Sequence, residues 1–308
     1  MVELERDYSL SRLTTIRAGG TAELFARPTT EAELVELLAW AEAQSQPVEV
    51  VGSGSNLLVA DTGVRGLVLK LAGELAGIER DAGAVICGGG MRLPSASAKA
   101  ASWGLSGLEF GINIPGTVGG AVRMNANAYG GQLAEALEWI DVCRAAGTVR
   151  LTPDRLGFEY RGSSLRSGEV VARARFALTD AAPAAVKATL AEMRDKRRDA
   201  QPSGIKTFGS TFKNPDPHAP GVHGRSAGQL LEAAGAQELT FGGARFSAKH
   251  ANFVENTGEA TTADVLDVLA AGRRRVHDLF GVVLEPEVQI LGEVEWPAAW
   301  QLDAPSSG

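Results

Sequence analysis

Arginine, serine and glutamate can together hold a carboxylate, deliver a proton and steady an oxyanion, and this chain places one of each in an unusual local setting. Arg161 follows two aromatic residues in FEYRGS. Ser210 sits in TFGSTFKNP, where glycine permits a close approach and Lys213 and Asn214 follow. Glu287 lies in LEPEVQILG, inside an apolar run that begins after a proline. A hydroxyl supplies a proton, while carboxyl and guanidinium groups polarise a developing oxyanion, so the set suits hydride transfer to an unsaturated acid. Taken singly, Arg161 also suits a solvated surface, Ser210 a turn and Glu287 an edge strand.

Two glycine-rich segments are the other chemically distinctive feature. Val48 to Lys70 reads VEVVGSGSNLLVADTGVRGLVLK, and Gly111 to Gly131 reads GINIPGTVGGAVRMNANAYGG. A backbone bare of side chains at Gly52 and Gly54 wraps closely around a ligand and turns its N–H groups toward an anion such as a pyrophosphate. Two such cradles point to a large phosphate-bearing cofactor, although the first alone also fits a plain surface turn. A Rossmann fingerprint is excluded there: Leu57 stands where the third glycine belongs, and strand-like residues follow instead of a helix. Neither a P-loop nor a G-x-S-x-G nucleophile elbow occurs, which argues against triphosphatase and hydrolase chemistry.

These residues need a scaffold, and 308 residues with 44% hydrophobic content allow two or three domains. A helix is expected from Glu31 to Ala43, with Thr30 and Glu33 as its capping box and Leu34, Leu37, Leu38 and Ala41 on one face. Pro47 bars its continuation, and strand VEVV then leads into the first cradle, giving a β, α, β opening. A strand from Ala84 to Gly90 precedes a capped helix from Ser95 to Trp103. Short strands with glycine turns fill Ile140 to Ala177, before a helix from Ala184 to Arg198 with cations in its last turn. The turn Gln201-Pro202-Ser203-Gly204 reads as a domain junction. Further helices are expected near Ala227 to Ala234 and from Thr262 to Phe280, with a strand near Ala251 to Val254 between them. The second helix should bury Val265, Leu266, Val268, Leu269, Val276 and Leu279. The closing WPAAWQLDAPSSG reads as a frayed tail.

The formal charge of −7 and pI near 5.3 disfavour a nucleic-acid or anionic-membrane partner. The N-terminus lacks the basic and apolar regions of a signal peptide, and no run approaches the roughly 18 apolar residues of a membrane span. Cys87 and Cys143 look like buried free thiols, which suits the cytoplasm. The four histidines, His218, His223, His250 and His277, lack metal-ligand spacing, so no metal site is expected.

In order along the chain, TTIRAGGTAELFARP, VVGSGSNLLV, GLEFGINIPGTVGGAVRMNANAYG, FEYRGS, TFGSTFKNP, SAGQLLEAAGA, FSAKHANFVEN and LEPEVQILG cover Leu13 to Gly292. This ordered set resembles the UDP-N-acetylenolpyruvoylglucosamine reductase family, the flavoenzymes of muramic acid synthesis in bacterial cell walls. The resemblance implies an α+β, FAD-binding fold of the vanillyl-alcohol-oxidase (PCMH) type in two subdomains, with a C-terminal α+β substrate-binding domain. The expected division is 1–69 (completed by 288–308), 70–198 and 199–287. It also implies NADPH-dependent reduction of UDP-N-acetylglucosamine enolpyruvate to UDP-N-acetylmuramate, with hydride passing by way of noncovalent FAD.

Carried over by resemblance, Gly52, Ser53, Gly54, Ser55, Asn56 and Leu57 line the FAD pyrophosphate and ribityl chain, as do Pro115, Gly116, Thr117, Gly119, Gly120 and Ala121, with Asn125 nearby. Arg161 matches the arginine that binds the substrate carboxylate, Ser210 the serine that protonates carbon, and Glu287 the glutamate that shares enolate stabilisation. Asn214 matches a substrate contact, and Arg198 and His250 align with binding positions. The segment after Ser163 is too short for an inserted element with a substrate-clamping tyrosine, so the chain resembles the compact subtype. No obligate protein partner is expected. Two other readings differ in observable ways. A flavin oxidase of the same fold often tethers its flavin through a His or Cys absent from GSGSNLL. A non-catalytic UDP-sugar module would be colourless.

Overall fold

The computed structural model describes residues 2–128, 130–200, 202 and 204–302. Gln201 and Ser203 of the expected junction, Tyr129 in the second glycine segment and residues 303–308 of the tail lie outside the described residues. The chain divides into two compact units. Met1–Tyr8, Ala22–Ser53 and Arg65–Asp199 make the first, and Ser9–Thr21, Gly54–Val64 and Ala200–Gly308 make the second.

The first unit holds helices α1 (Glu31–Ala43), α2 (Leu93–Ser102), α3 (Val118–Arg123), α4 (Leu133–Ala136) and α5 (Pro183–Ala200). At α1 the Thr30 hydroxyl accepts from Glu33 N and the Glu33 carboxylate accepts from Thr30 N, so both orphan amides of the helix start are satisfied. Leu34, Leu37, Leu38 and Ala41 are buried as expected, against Leu24, Leu67 and Leu69. Each leucine so buried contributes about 1.5–3 kcal/mol. The opening β, α, β is formed by Thr21–Ala26, α1 and Val48–Val50, in a four-stranded sheet whose Val48–Val50 runs parallel to Val64–Leu69.

A second, five-stranded antiparallel sheet is ordered Gly147–Leu151, Leu137–Arg144, Val170–Ala177, Ala84–Gly88 and Ile78–Asp81. It has its own core, in which Val85, Ile140, Val142 and Phe176 meet Leu93 and Ala96 of α2 and Val118 and Val122 of α3. Cys87 and Cys143 are buried, free thiols. Helix α2 starts two residues before the expected Ser95. Pro94 fits its first turn, where no backbone N–H is required, and Arg92 rather than Ser95 takes the cap position.

The second unit contains α6 (Ala227–Ala233), α7 (Thr262–Phe280) and a three-stranded antiparallel sheet of Thr240–Phe241, Ala244–Phe246 and Val254–Asn256. The last strand begins at Val254, where a strand from Ala251 was expected. Asn252 N instead donates to His250 Nδ1 and Phe253 N to His250 O, which folds 250–253 into a turn. Phe208, Phe212, Phe246, Leu230, Leu231, Val265 and Leu269 fill the core. Buried Asn256 is bonded at both ends of its carboxamide: Nδ2 donates to Ile16 O, and Oδ1 accepts from Gly258 N and Ala260 N.

Two further expectations fail in this unit. Leu279, assigned to the buried face of α7, is 61% exposed, because the last turn runs past the core before Gly281 ends the helix with φ +66°. The tail is not frayed through 302. Trp296 and Trp300 stack with ring centroids 3.9 Å apart, the Arg273 guanidinium lies 4.4 Å from the Trp300 ring, and Arg273 donates to Trp300 O.

Candidate active site

In the first unit, the start of the first glycine segment meets the second. A Cβ on Gly52 would lie 2.5 Å from Thr117 Oγ1, so only glycine fits there. Thr117 is the N-cap of α3 and accepts from Gly120 N, while Gly119 N donates to Gly89 O at 2.7 Å. Pro115 and Gly116 lead into this cap, and Ala121 is buried in the helix behind it. Lys70 Nζ donates to Gly52 O at 2.6 Å. Burial first, then the charges of Arg27 and Arg92, push the Lys70 ammonium below its ordinary range. Sequence reasoning missed this lysine; its one signal is a lone cation closing the apolar run LVLK. Gly52, Lys70, Thr117, Gly119 and Gly120 line one cleft with Gly89, Gly90 and Arg123.

The same unit carries Arg161, at φ +61° on a turn closed by paired hydrogen bonds between Glu159 and Gly162. Asn125, itself at φ +41°, donates from Nδ2 to Glu159 O at 3.2 Å. Arg123 donates to Leu165 O, Arg166 O and Glu169 O. Both legs of the Arg161 turn are thus fastened to residues within the second glycine segment. Burial pulls the Arg123 guanidinium down, and Glu49 and Glu169 oppose it. Burial pushes the Glu49 carboxyl up, and Arg123 opposes that. Arg123 is the other residue sequence reasoning passed over, a basic residue three positions after the glycine pair. Arg198 lies exposed on α5, paired with Asp195 at 2.9 Å and Asp199 at 3.9 Å.

The second unit brings together Ser210, Glu287 and the rest of the first cradle. Gly54, at φ +63°, has no room for a side chain, since a Cβ would meet Leu13 O, and its carbonyl accepts from Thr15 N. Leu57 then begins strand Leu57–Val59, which pairs in parallel with Gln289–Leu291, so strand rather than helix follows the cradle. Asn56 Nδ2 donates to Glu287 O at 3.2 Å and Asn56 O accepts from Gln289 N. Glu287 N donates to Thr211 O at 2.8 Å, next to Ser210. A Cβ on Gly209 would lie 3.6 Å from Ser55 O. Serine, glutamate and cradle therefore share one patch of backbone.

Asn214 and His250 meet at the start of α6. Asn214 Oδ1 accepts from Ala227 N, and a Cβ on Gly228 would lie 2.9 Å from His250 Cε1. His250 packs edge-on against Phe253 at 4.9 Å. Burial holds its imidazole below the ordinary range, against the opposing effects of its own backbone and Glu232.

The family model for the UDP-N-acetylenolpyruvoylglucosamine reductase C-terminal domain matches residues 201–291, and an FAD binding domain model matches 22–152. UDP-N-acetylenolpyruvoylglucosamine reductase 2 of Symbiobacterium thermophilum is 42% identical over 295 residues, 95% of this chain and 94% of its own. The reductase of Agathobacter rectalis is 41% identical over 304 residues, 94% of either chain. This chain belongs to the UDP-N-acetylenolpyruvoylglucosamine reductase family. The crystal structure of the Thermus caldophilus reductase (MurB) superposes with a TM-score of 0.81 at 37% identity, covering 95% of this chain and 100% of that one. The fold is α+β and FAD-binding, of the vanillyl-alcohol-oxidase (PCMH) type expected from the sequence.

Residues of the first unit fit part of a flavin dinucleotide. Ser53 Oγ and Asn125 Oδ1 are buried with no hydrogen-bond partner among the described residues, and a Cβ on Gly116 would meet nothing within 4 Å. Ser163 Oγ beside the arginine turn and Thr211 Oγ1 beside Ser210 are likewise buried without a partner among the described residues. Polar atoms withdrawn from water in this way are costly unless a ligand answers them.

Proposed function

We infer that this chain reduces UDP-N-acetylglucosamine enolpyruvate to UDP-N-acetylmuramate with NADPH and FAD, in peptidoglycan synthesis. Family membership over 95% of the chain carries the reaction. The shared backbone of Asn56, Glu287 and Thr211 supports the residue assignment. Bound to the two glycine segments, FAD would supply the two-electron relay between NADPH and the enolpyruvyl double bond. Gly52, Ser53, Gly54, Ser55, Asn56 and Leu57, with Pro115 to Thr117, Gly119 to Ala121 and Asn125, are the proposed FAD contacts, and the unsatisfied Ser53 and Asn125 atoms support two of them.

Ser210 donates its hydroxyl proton to the carbon that bears the substrate carboxylate. A serine is a weak acid in water, so it serves only beside a strongly basic carbon and within hydrogen-bond reach. Arg161 binds the carboxylate, and Glu287 shares with it the stabilisation of the enolate charge. The turn that presents Arg161 holds a non-glycine residue at positive φ, a conformation retained where the surroundings enforce it. Asn214, His250 and Arg198 bind the remainder of the substrate.

The proposed subdomains are 1–69 with 288–308, 70–198 and 199–287. The five-stranded sheet has a core distinct from the one under α1, although the latter also takes in Leu71, Leu75, Cys143, Val170 and Ala172 from beyond residue 69, and the pairing of Gln289–Leu291 with Leu57–Val59 supports the return of the C-terminus. Among the described residues no helix is long and apolar enough to cross a membrane, and the protein carries a formal charge of −7. We place the reaction in the cytoplasm, with small molecules and neither nucleic acid, membrane nor an obligate protein as partners.

Purified protein is expected to be yellow, to release its colour into acid supernatant, and to consume NADPH only with UDP-N-acetylglucosamine enolpyruvate. Ser210→Ala should keep flavin reduction by NADPH and lose roughly 10²- to 10³-fold in reoxidation by that substrate, the usual cost of removing one preorganised group. A colourless preparation, or NADPH consumption indifferent to the enolpyruvyl compound, would overturn the reading.

A further inference from the structure

The residues that follow Ser210 have no long strand to hold them. Ser210 makes a single bridge with Phe253, and Phe212 one with Pro286. The register of this segment comes from Asn252, 4% exposed and 40 positions away in sequence. Its Oδ1 accepts from Phe212 N at 2.9 Å and its Nδ2 donates to Phe212 O at 2.9 Å. Its own carbonyl accepts from Thr211 N at 2.8 Å. One carboxamide thus does for Phe212 what a neighbouring strand would do, on a residue that is wholly buried. On the opposite side, Thr211 O accepts from Glu287 N. The peptide after Ser210 is gripped from both sides, by Asn252 and by the backbone of the glutamate.

Asn252 is in turn fixed. Its N–H donates to His250 Nδ1 at 3.1 Å, and Phe253 N donates to His250 O at 3.0 Å. An apolar side chain of the same volume would leave Phe212 N and O buried without partners. The carboxamide thereby sets where the Ser210 backbone lies.

We propose that Asn252 is a positioning residue that holds the Ser210 hydroxyl where it delivers its proton. The proposal rests on the proton-donating role of Ser210 given above. Asn252 touches no reacting atom; it acts through the two residues next to the serine. A weak acid is more sensitive to placement than a strong one, and an error of about 1 Å costs on the order of 10² in rate.

The test compares the wild-type protein, Asn252→Ala, Ser210→Ala and the double variant as holoenzymes in stopped-flow. Two rates are read: flavin reduction by NADPH, and reoxidation by UDP-N-acetylglucosamine enolpyruvate. Asn252→Ala is expected to slow reoxidation about 10- to 100-fold, to leave flavin reduction and flavin content unchanged, and to add nothing in the Ser210→Ala background. A merely structural role would instead slow both rates or add its full cost to Ser210→Ala. Asn252→Asp gives an independent reading should the alanine variant not fold. It keeps the acceptor for Phe212 N, sets a carboxylate against Phe212 O, and regains reoxidation as falling pH protonates the new side chain and restores the donor. Unchanged reoxidation in Asn252→Ala, additivity with Ser210→Ala, or a pH-indifferent Asn252→Asp overturns the proposal. If Ser210→Ala itself reoxidises normally, the serine's role fails and this inference falls with it; if only the Asn252 variants behave as wild type, the serine's role stands.

Discussion

The most discriminating perturbation of the cofactor site is a single methyl group placed at either of two glycines. At Gly52 the methyl carbon would stand 2.5 Å from Thr117 Oγ1 and 3.2 Å from Thr117 Cγ2. Thr117 is 7% exposed and caps α3, so it has little room to retreat without giving up its bond from Gly120 N. Loss of the cap costs about 1 kcal/mol and overpacking about 1–3 kcal/mol, so Gly52→Ala should destabilise even the flavin-free protein by about 2–4 kcal/mol. At Gly116 the same methyl meets nothing within 4 Å, and φ there is not in the left-handed region. Its carbonyl still accepts from Leu93 N. Gly116→Ala should therefore leave the flavin-free protein unchanged or firmer by about 0.4–1 kcal/mol, through the lost freedom of the unfolded chain. The space it fills is the space assigned to FAD, so affinity should fall at least about tenfold, or about 1.4 kcal/mol. Denaturant melts of the flavin-free proteins give the first quantity, and titration of FAD fluorescence gives the second. Gly116→Ala that binds FAD as tightly as the parent would refute the placement of the cofactor. Gly52→Ala that melts unchanged would refute the packing argument.

Burial pushes the Cys87 thiol up to about 12 and raises Cys143 as well, Thr148 opposing the latter, so neither should react with a disulfide reagent at about pH 8 until the protein is unfolded. Rapid labelling of the native protein would show that one of them is accessible. His250 sits below its ordinary range, so the folded state binds its proton less readily than the unfolded chain. The stability it contributes is complete above the unfolded value of about 6.5 and declines as the pH falls below it. Melting midpoints should accordingly drop between about pH 7.5 and 5.5, less steeply in His250→Asn, whose short side chain can still accept from Asn252 N. An identical slope in that variant would assign the pH dependence elsewhere.

What was readable in the sequence is what short-range physics decides. Thr30, Glu33 and the spacing of Leu34, Leu37, Leu38 and Ala41 fixed α1 to its residue bounds, because cap and face are set within four positions. Helix α3 was not foreseen. Gly119 and Gly120 have poor helix propensity, yet Gly119 N reaches Gly89 O at 2.7 Å, and a larger residue at Gly89 would collide with Val171 O. Tertiary approach overrode propensity there. The tail failed in the same way: Trp296 and Trp300 stack and pack against the core, where Arg273 of α7 donates to Trp300 O, a contact 27 positions away in sequence.

The candidate site divides along the same line. The types Arg161, Ser210 and Glu287 were legible, but the contacts that order them span 40 positions from Phe212 to Asn252 and 231 from Asn56 to Glu287. No local period encodes such pairs. Asn252 reads in sequence as an ordinary polar residue between two apolar ones, and only the fold reveals that both edges of its amide are committed to one buried peptide. The residues that perform chemistry announce themselves by type, whereas those that aim them do so by register. In this chain the second kind is where a single atom's change, from amide to carboxylate, should separate structure from function.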